Sequence, residues 1–333
     1  YQWLQSLDSA CHLSVCPAEY YGREPFSDYL HTLGADLDPH IDLCYTGPHV
    51  CSPEISTSDA GEFARVTRRA PLIWDNYPVN DLDMKSEMHI GPICGREASL
   101  HQVVKGFVIN TMLQAEASKI PLLTFADYFD DPHRYEPWSS WRRALREIGG
   151  ASSHEALSLF AENSLHSCLR TVEAPRLESL THAALNALKQ GERPVNSEAL
   201  RALELYLHHL DEACYFLKNR MMNLSLRGNL LPWIEALENW IWAGKRAILT
   251  LRLMESGGQY EEPFRLMERS IDEINRQTKR IAGNSLLCLA EYVGEQVARR
   301  RRAMIDISLV QSADSPESRL GSQEREERSL DAA

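Results

Sequence analysis

Residues 71–81 read PLIWDNYPVND, and the patterns on either side are best understood from this stretch. Its first half is apolar and predicts a buried strand. An indole, an amide and two carboxylates follow within eight residues, around Pro78. Parallel strands that carry such groups at their carboxyl ends form the ligand sites of α/β enzymes. A strand followed by an ordinary polar loop, with Asn76 and Asp81 as turn formers, fits these residues equally well.

Strand and helix patterns alternate around this stretch, over about the first 125 residues. Short apolar runs predict four strands, and apolar residues at helical spacing predict helices between them. The strands are expected at 12–17, 41–45, 71–74 and 106–110. Helices are expected at 26–37 and 56–69, and another begins over 115–125. This alternation predicts a parallel sheet with crossover helices, hence an α/β fold. Four such units are half of a (β/α)8 barrel, so we expect the C-terminal half of a TIM barrel.

From residue 138 onward the pattern changes to helices alone. Leucine and tryptophan stripes at helical spacing predict core-facing helices, separated by glycine and proline breakers such as Gly228 with Pro232. The helices are expected at 138–148, 152–170, 174–190, 197–226, 230–256 and 260–302. We therefore predict three regions: a half-barrel over 1–136, an α-helical bundle over 137–305 and a disordered polar tail over 306–333.

The charge of the chain limits its partners. The net charge is -12 and the isoelectric point about 5.5, which argues against nucleic acid or an anionic membrane as the main partner but leaves room for a neutral sugar. The run Arg299–Arg302 is expected to be a solvated helix end, with a nucleic-acid patch as the weaker alternative. No stretch of eighteen apolar residues occurs, so no membrane span is expected.

The cysteines and the first residues of the chain are the features that could indicate where the protein is located. The eight cysteines include no C-x-x-C pair, and we expect mostly buried thiols, with a zinc or disulfide role as the minor alternative. The chain opens at Tyr1 in what looks like the middle of a helix, so we expect further sequence upstream. Cytoplasmic and secreted locations therefore both stay open.

The sequence lacks the common motifs for metal, acyl-transfer and nucleotide chemistry. The histidines form no H-x-x-x-H or H-E-x-x-H pattern, and no G-x-S-x-G, P-loop or G-x-G-x-x-G occurs, so no metal or cofactor is expected. Asp130-Asp131 resembles an acid/base pair, but its place before Pro132 favours a turn. Glu19, Asp75 and Asp81, at predicted strand ends, are better placed for chemistry.

Six motifs in order carry a family resemblance. They are CPAEY at 16–20, TGP at 46–48, WDNYPVND at 74–81, GP at 91–92 with GR at 95–96, GFVIN at 106–110 and QAEASKI at 114–120. Together they resemble the second half of the catalytic barrel of family 84 glycoside hydrolases. That family comprises O-GlcNAcases and other β-N-acetylglucosaminidases, often labelled hyaluronidase-like, and carries a helical region after its barrel.

The resemblance implies a role for five residues of this chain. Trp74 and Asn76 match residues that line the N-acetyl pocket, and Asp81 and Asn110 match residues that bind sugar hydroxyls. Tyr20 matches a tyrosine beside the reacting centre. Flat aromatic faces with fixed donors and acceptors suit a sugar. Two departures occur: Tyr45 stands where the family usually has Trp, and Thr111 where it usually has Pro.

The resemblance also implies a retaining, substrate-assisted mechanism through an oxazoline, with an Asp-Asp pair as its acid/base machinery. That pair belongs to a strand upstream of Tyr1, so this chain is expected to lack it and to be inactive alone. The alternative is a non-catalytic sugar- or protein-binding module that acts through the helical bundle. The partner would be an N-acetylglucosamine-containing glycoprotein, mucin glycan or hyaluronan fragment, with a possible homodimer through the helices.

Overall fold

The structure, a computed structural model, describes residues 1–313 and the side chains of residues 1–306. Its first half is a four-stranded parallel sheet with helices between the strands, as the alternating pattern predicts. The strands and helices of this half are α1 (Gln2–Leu7), β1 (Ser14–Val15), α2 (Asp28–Asp36), β2 (Asp42–Tyr45), α3 (Thr57–Thr67), β3 (Leu72–Asp75), β4 (Gly106–Ile109) and α4 (Ala115–Asp130). Short 3-10 turns lie at Leu82–Met84 and Leu100–Gln102.

The strands follow one another in chain order across the sheet, β1-β2-β3-β4. All three pairings are parallel, and Asp75 of β3 lies opposite Ile109 of β4. All four carboxyl ends therefore open at the same edge of the sheet. Residues 76–81 and Asn110, which directly follow β3 and β4, must meet there.

Helix α3 shows how local chemistry fixes these elements. Ser56 accepts a hydrogen bond from the Asp59 amide, and the Asp59 carboxylate accepts one from the Ser56 amide. This capping box satisfies two amides that the first turn would otherwise leave free. Phe63 and Val66 then face the sheet, where Phe63 stacks on Tyr45 at 4.5 Å between ring centres. Tyr45, where the family usually has Trp, is thus a core residue that donates its hydroxyl to the Gly22 carbonyl.

The second half of the described chain consists of helices joined by turns and irregular segments. Its helices are α5 (Pro137–Gly149), α6 (His154–Ala161), α7 (Pro175–Lys189), α8 (Glu198–Asn219), α9 (Leu224–Ser256), α10 (Glu261–Arg276) and α11 (Ser285–Ala313). The predicted stripes are core: Leu200, Leu203, Leu207 and Leu210 are all fully buried, as is Leu237.

Three predicted helix boundaries are wrong. Gly228 and Pro232 lie inside α9, which begins after Asn223, and the packing of Leu230 and Trp233 outweighs the hydrogen bond that proline lacks. The segment predicted as one helix over 260–302 breaks at Ala282 and Gly283, which both adopt left-handed backbone with φ of 65° and 60°. The helix predicted over 152–170 ends at Ala161.

The C-terminal predictions also need correction. Helix α11 continues to Ala313, so Arg299–Arg302 lies within it instead of at its end. Arg300 donates to the Met254 carbonyl near the end of α9, and Arg301 pairs with Glu261 at the start of α10. This run therefore ties α11 to both helices. The predicted tail over 306–333 is thus helical as far as residue 313, and residues 314–333 lie outside the described residues. Within residues 1–313, no helix has the length and apolar character needed to cross a membrane.

Candidate functional site

Trp74, Asn76 and Asn110 form a hydrogen-bonded group at the carboxyl edge of the sheet, which we call the amide shelf. The Asn76 side-chain oxygen accepts from Trp74 Nε1 at 3.1 Å and from Asn110 Nδ2 at 3.0 Å. Asn76 Nδ2 donates to the Val50 carbonyl at 2.7 Å. These donors and this acceptor determine which end of the Asn76 side-chain amide is the oxygen and which is the nitrogen. Trp74 keeps 37% of its surface exposed, so its indole is open to a ligand.

The backbone places the two asparagines side by side. The Asn110 amide donates to the Asp75 carbonyl at 2.9 Å, which continues the β3-β4 pairing by one residue. The Asn110 carbonyl in turn accepts from the Val79 amide at 3.0 Å, so the turn after β3 folds back over β4. The amide shelf is therefore held by rigid strand ends.

A buried ion pair lies beneath the amide shelf. Arg96 donates to both Asp75 oxygens, at 2.8 and 2.6 Å, and their side chains are 2% and 0% exposed. Arg96 also donates to the carbonyls of Ser52, Pro53 and Cys94. Burial lowers the pKa of Arg96, but the Asp75 charge and hydrogen bonds outweigh burial and raise it overall. Asp75, one of the carboxylates that the sequence favoured for chemistry, is thus a structural anchor.

Glu19 is structural as well. Its carboxylate accepts from the Ser27 amide and hydroxyl, and Ser27 is the N-cap of α2. Tyr20 lies half-buried after β1, two strands away from β3, and packs edge-on against Tyr21. Among the described residues, no hydrogen bond joins the Tyr20 side chain to the amide shelf.

Asp81 differs from the other two carboxylates because its side chain is exposed. It is the N-cap of the turn Leu82–Met84, and its backbone carbonyl accepts from the Met84 amide at 2.9 Å. Its charge is one of the effects that act to raise the pKa of the Cys51 thiol, and Cys51 follows Val50, whose carbonyl accepts from Asn76. A carboxylate in this position can accept hydrogen bonds from ligand hydroxyls.

Asn80 locks the segment that carries Asp81, a role that the sequence analysis missed. Its buried side chain donates to the Glu87 carbonyl at 2.9 Å and to Gln114 Oε1 at 2.8 Å, and it accepts from the Leu113 amide. An asparagine inside the motif was the available signal, but its partners lie on other segments and are set only by folding.

The helical half donates hydrogen bonds to residues 81–91, the segment that begins with Asp81. Trp233 Nε1 and the Arg280 amide both donate to the Ser86 carbonyl, at 2.9 and 2.7 Å. Lys279 Nζ donates to the Lys85 carbonyl at 2.9 Å. Segment 277–284, between α10 and α11, supplies two of these three donors. The break that the sequence analysis missed therefore helps to hold the loop that carries Asp81.

Glu87 is the centre of a charged cluster in this contact. It accepts from His89 at 2.8 Å and lies 3.2 Å from His166 and 3.9 Å from Arg280. Burial raises the pKa of Glu87, but the His89 hydrogen bond and the histidine charges lower it overall. The two ring nitrogens of His89 lie 2.8 Å from the Val79 carbonyl oxygen and 2.8 Å from a Glu87 carboxylate oxygen, so the ring joins the turn after β3 to this cluster.

Comparisons with known proteins identify the family and the fold. A family model for β-N-acetylglucosaminidase matches residues 1–162. The O-GlcNAcases of Rattus norvegicus and Mus musculus are each 37% identical to this chain over 119 residues. The solved O-GlcNAc hydrolase of Thermobaculum terrenum is 28% identical, with a TM-score of 0.79 over 94% of this chain. CpGH84B, at 24% identity and a TM-score of 0.77 over 88% of this chain, supports the fold alone.

Residues 1–162 belong to the family 84 glycoside hydrolases. The match to the rodent O-GlcNAcases covers 34% of this chain and 13% of theirs. This chain covers 66% of the Thermobaculum terrenum structure and 52% of CpGH84B. The family match thus covers the sheet half together with α5 and α6. This chain spans less than two thirds of the length of these relatives.

Within this family frame, Asp130-Asp131 falls at the wrong edge of the sheet for sugar chemistry. Helix α4 starts at the carboxyl end of β4 and runs back towards the amino ends of the strands, and these aspartates end it. Asp131 pairs with Arg134. The sequence predicts a turn for this pair, but Asp130 is the last residue of α4 and Asp131 its C-cap, and the turn follows at 132–134.

Proposed function

We propose that this chain is the sugar-holding part of an enzyme that removes terminal β-linked N-acetylglucosamine. The observation that carries the proposal is the amide shelf, an exposed indole with two oriented amides at the carboxyl edge of a parallel sheet. Sugar sites combine flat apolar surface with fixed hydrogen-bonding groups in this way. The family match over the same residues supports the proposal.

Each proposed sugar contact has a distinct task. Trp74 offers its ring to the N-acetyl group. The Asn76 oxygen already accepts two hydrogen bonds, so we assign Asn76 mainly to orienting Trp74 and Asn110. The Asn110 side-chain oxygen and the Asp81 carboxylate then accept from sugar hydroxyls. Tyr20, two strands away, completes the site beside the reacting carbon.

We further propose the retaining, substrate-assisted mechanism of the family for the whole enzyme. The acetamido oxygen attacks the anomeric carbon and displaces the leaving group, and water then opens the oxazoline. The sheet described above would be the second half of a (β/α)8 barrel over residues 1–136, followed by the helical domain over 137–305. The family resemblance implies that the Asp-Asp acid/base pair lies outside these 333 residues. Asp130-Asp131, the one Asp-Asp pair in the sequence, lies at the end of α4 instead.

Binding of the sugar can be tested with two aspartates of the same turn, one as the test position and the other as its control. Asp81→Ala and Asp83→Ala each remove an exposed carboxylate, two residues apart. We expect N-acetylglucosamine to show saturation-transfer NMR signals with the 333-residue protein, and Asp81→Ala to weaken binding by at least about 10-fold, the cost of a charged hydrogen bond. Asp83→Ala should bind as the unchanged protein does. Equal affinity of both variants would contradict the site.

Catalysis provides a second measurement on the same protein. The purified 333 residues should not hydrolyse 4-nitrophenyl N-acetyl-β-D-glucosaminide, because the acid/base pair is missing. Turnover that survives further purification would show that the pair lies among these residues and has been misplaced. In a longer protein that is active, Asp81→Ala should lose most of the kcat/KM while keeping its fold.

A further inference from the structure

Two cysteines meet where the sheet half contacts the helical half. Cys51 lies between β2 and α3, and Cys168 lies in the irregular segment between α6 and α7, more than 100 residues further along the chain. Their thiols hydrogen-bond to each other. Cys168 Sγ lies 3.9 Å from the Asn76 carbonyl, and Asn76 Nδ2 donates to the carbonyl of Val50, the neighbour of Cys51. The pair therefore sits directly behind the amide shelf.

This placement corrects the expectation of mostly buried thiols. Only Cys44 and Cys214 are fully buried among the eight cysteines, and Cys51 and Cys168 are both partly accessible. Neither thiol is part of a metal group, since residues 1–306 contain no group of three or more His, Cys, Asp or Glu side chains that could hold a metal ion. Cys94, also nearby, bonds to the Pro92 carbonyl instead.

The pKa values of the two thiols are shifted in opposite directions. The hydrogen bond from Cys168 lowers the pKa of Cys51, although burial, Asp81 and Asp75 act in the opposite direction. The same hydrogen bond, together with burial, raises the pKa of Cys168. These opposite directions favour Cys51 as the attacking thiol and Cys168 as the resolving one.

We propose that Cys51 and Cys168 form a reversible redox pair that closes into a disulfide on exposure to a peroxide and ties the β2-α3 loop to the α6-α7 segment. The Cys51 thiolate attacks one peroxide oxygen, which gives the sulfenic acid and releases hydroxide. The Cys168 sulfur then attacks the sulfenic sulfur, and water leaves. In total, two thiols and one hydrogen peroxide give one disulfide and two waters. A dithiol reductant reverses the change.

The test maps the bond in the full 333-residue protein. Protein treated with hydrogen peroxide is alkylated, digested with trypsin and examined by mass spectrometry. We expect a cross-link between the peptides 24–65 and 147–170, and its loss after treatment with dithiothreitol. Peptide 24–65 also contains Cys44, so Cys51→Ser is the variant that assigns the bond. The cross-link should disappear in Cys51→Ser and in Cys168→Ser and persist in Cys94→Ser.

Stability gives an independent readout. A bond that closes so long a loop should raise the Tm of the oxidised protein relative to the reduced one, and Cys51→Ser should remove this difference. Circular dichroism shows whether each variant folds, and Cys168→Ala replaces Cys168→Ser if the hydroxyl disturbs packing. Oxidation of Cys51 to the sulfinic acid without a cross-link, or a bond from Cys51 to Cys94, would overturn the proposal. The test involves no sugar, so its result is separate from that of the proposed function.

Discussion

Asp75 and Asp81 are six residues apart and look equally suited to chemistry in the sequence, yet their surroundings separate them. Asp75 points into the protein and meets both donors of the Arg96 fork, whereas Asp81 caps a turn and faces solvent. A carboxylate that is already paired and buried cannot bind a ligand without breaking that pair. The burial of each carboxylate therefore decides its role.

The Asp75-Arg96 pair should be costly to break. Arg96→Met leaves the Asp75 charge buried without a partner, and we expect it to lower the free energy of unfolding by about 3–5 kcal/mol. Arg65→Met breaks the exposed Arg65-Glu24 pair and should have a much smaller effect, because water screens this pair. Urea denaturation measures both variants. A loss for Arg96→Met as small as that for Arg65→Met would contradict the structural role.

Glu87 should make stability depend on acid. Its pKa is lowered in the folded state, so its contribution is present above the unfolded value of about 4.5 and is lost as the pH falls through the lower folded value. The stability difference between the wild-type protein and Glu87→Gln should therefore be largest near about pH 6 and shrink by about pH 3. Urea unfolding across this range measures it, and exposed Glu192→Gln is the control. A difference that is constant with pH would argue against the cluster.

At the scale of elements, the loop that carries Asp81 depends on helices far along the chain. Segment 81–91 has little regular structure, but Trp233 of α9 and the segment between α10 and α11 donate to its carbonyls. Such contacts convert an irregular loop into a fixed platform. The helical half thus has a direct part in shaping the candidate sugar site.

Removal of one of these donors should loosen the loop. Trp233→Phe loses the hydrogen bond to Ser86, and we expect faster hydrogen exchange at the Met84 and Glu87 amides by about 5-fold, equivalent to about 1 kcal/mol. Trp242→Phe changes an indole that is 42% exposed and should leave these amides unchanged. Exchange rates that do not respond to Trp233→Phe would mean that the helices do not hold the loop.

At the scale of the whole molecule, the largest apolar cluster contains residues of both halves, although the sheet half also has two smaller clusters of its own. Met88, Ile90, Met112 and Ile120 of the sheet half pack in the same buried cluster as the α8 and α9 leucines. Asn229 of α9 also accepts from the first amides of α4. The proposed domain boundary near residue 136 therefore divides the chain at a turn but does not divide its core.

Residues 1–136 should for this reason fail to fold alone. Expressed by themselves, they would expose the face that α9 covers, and we expect no cooperative thermal transition and binding of the dye ANS. The 333-residue protein should unfold in one transition, with near-ultraviolet and far-ultraviolet circular dichroism changing together. A cooperative transition in the isolated 1–136 fragment would show that the halves are independent domains.

The sequence by itself determined the parallel sheet, the helical half and the glycoside hydrolase family, because apolar periodicity and local motifs act within a few residues. It placed Trp74, Asn76 and Asn110 at strand ends, where they meet. Only the tertiary structure decided that Arg96 neutralises Asp75, that residues 277–284 hold the Asp81 loop and that Cys51 reaches Cys168. These contacts join residues distant in the chain, and the packing of whole elements determines them, not the residues next to them.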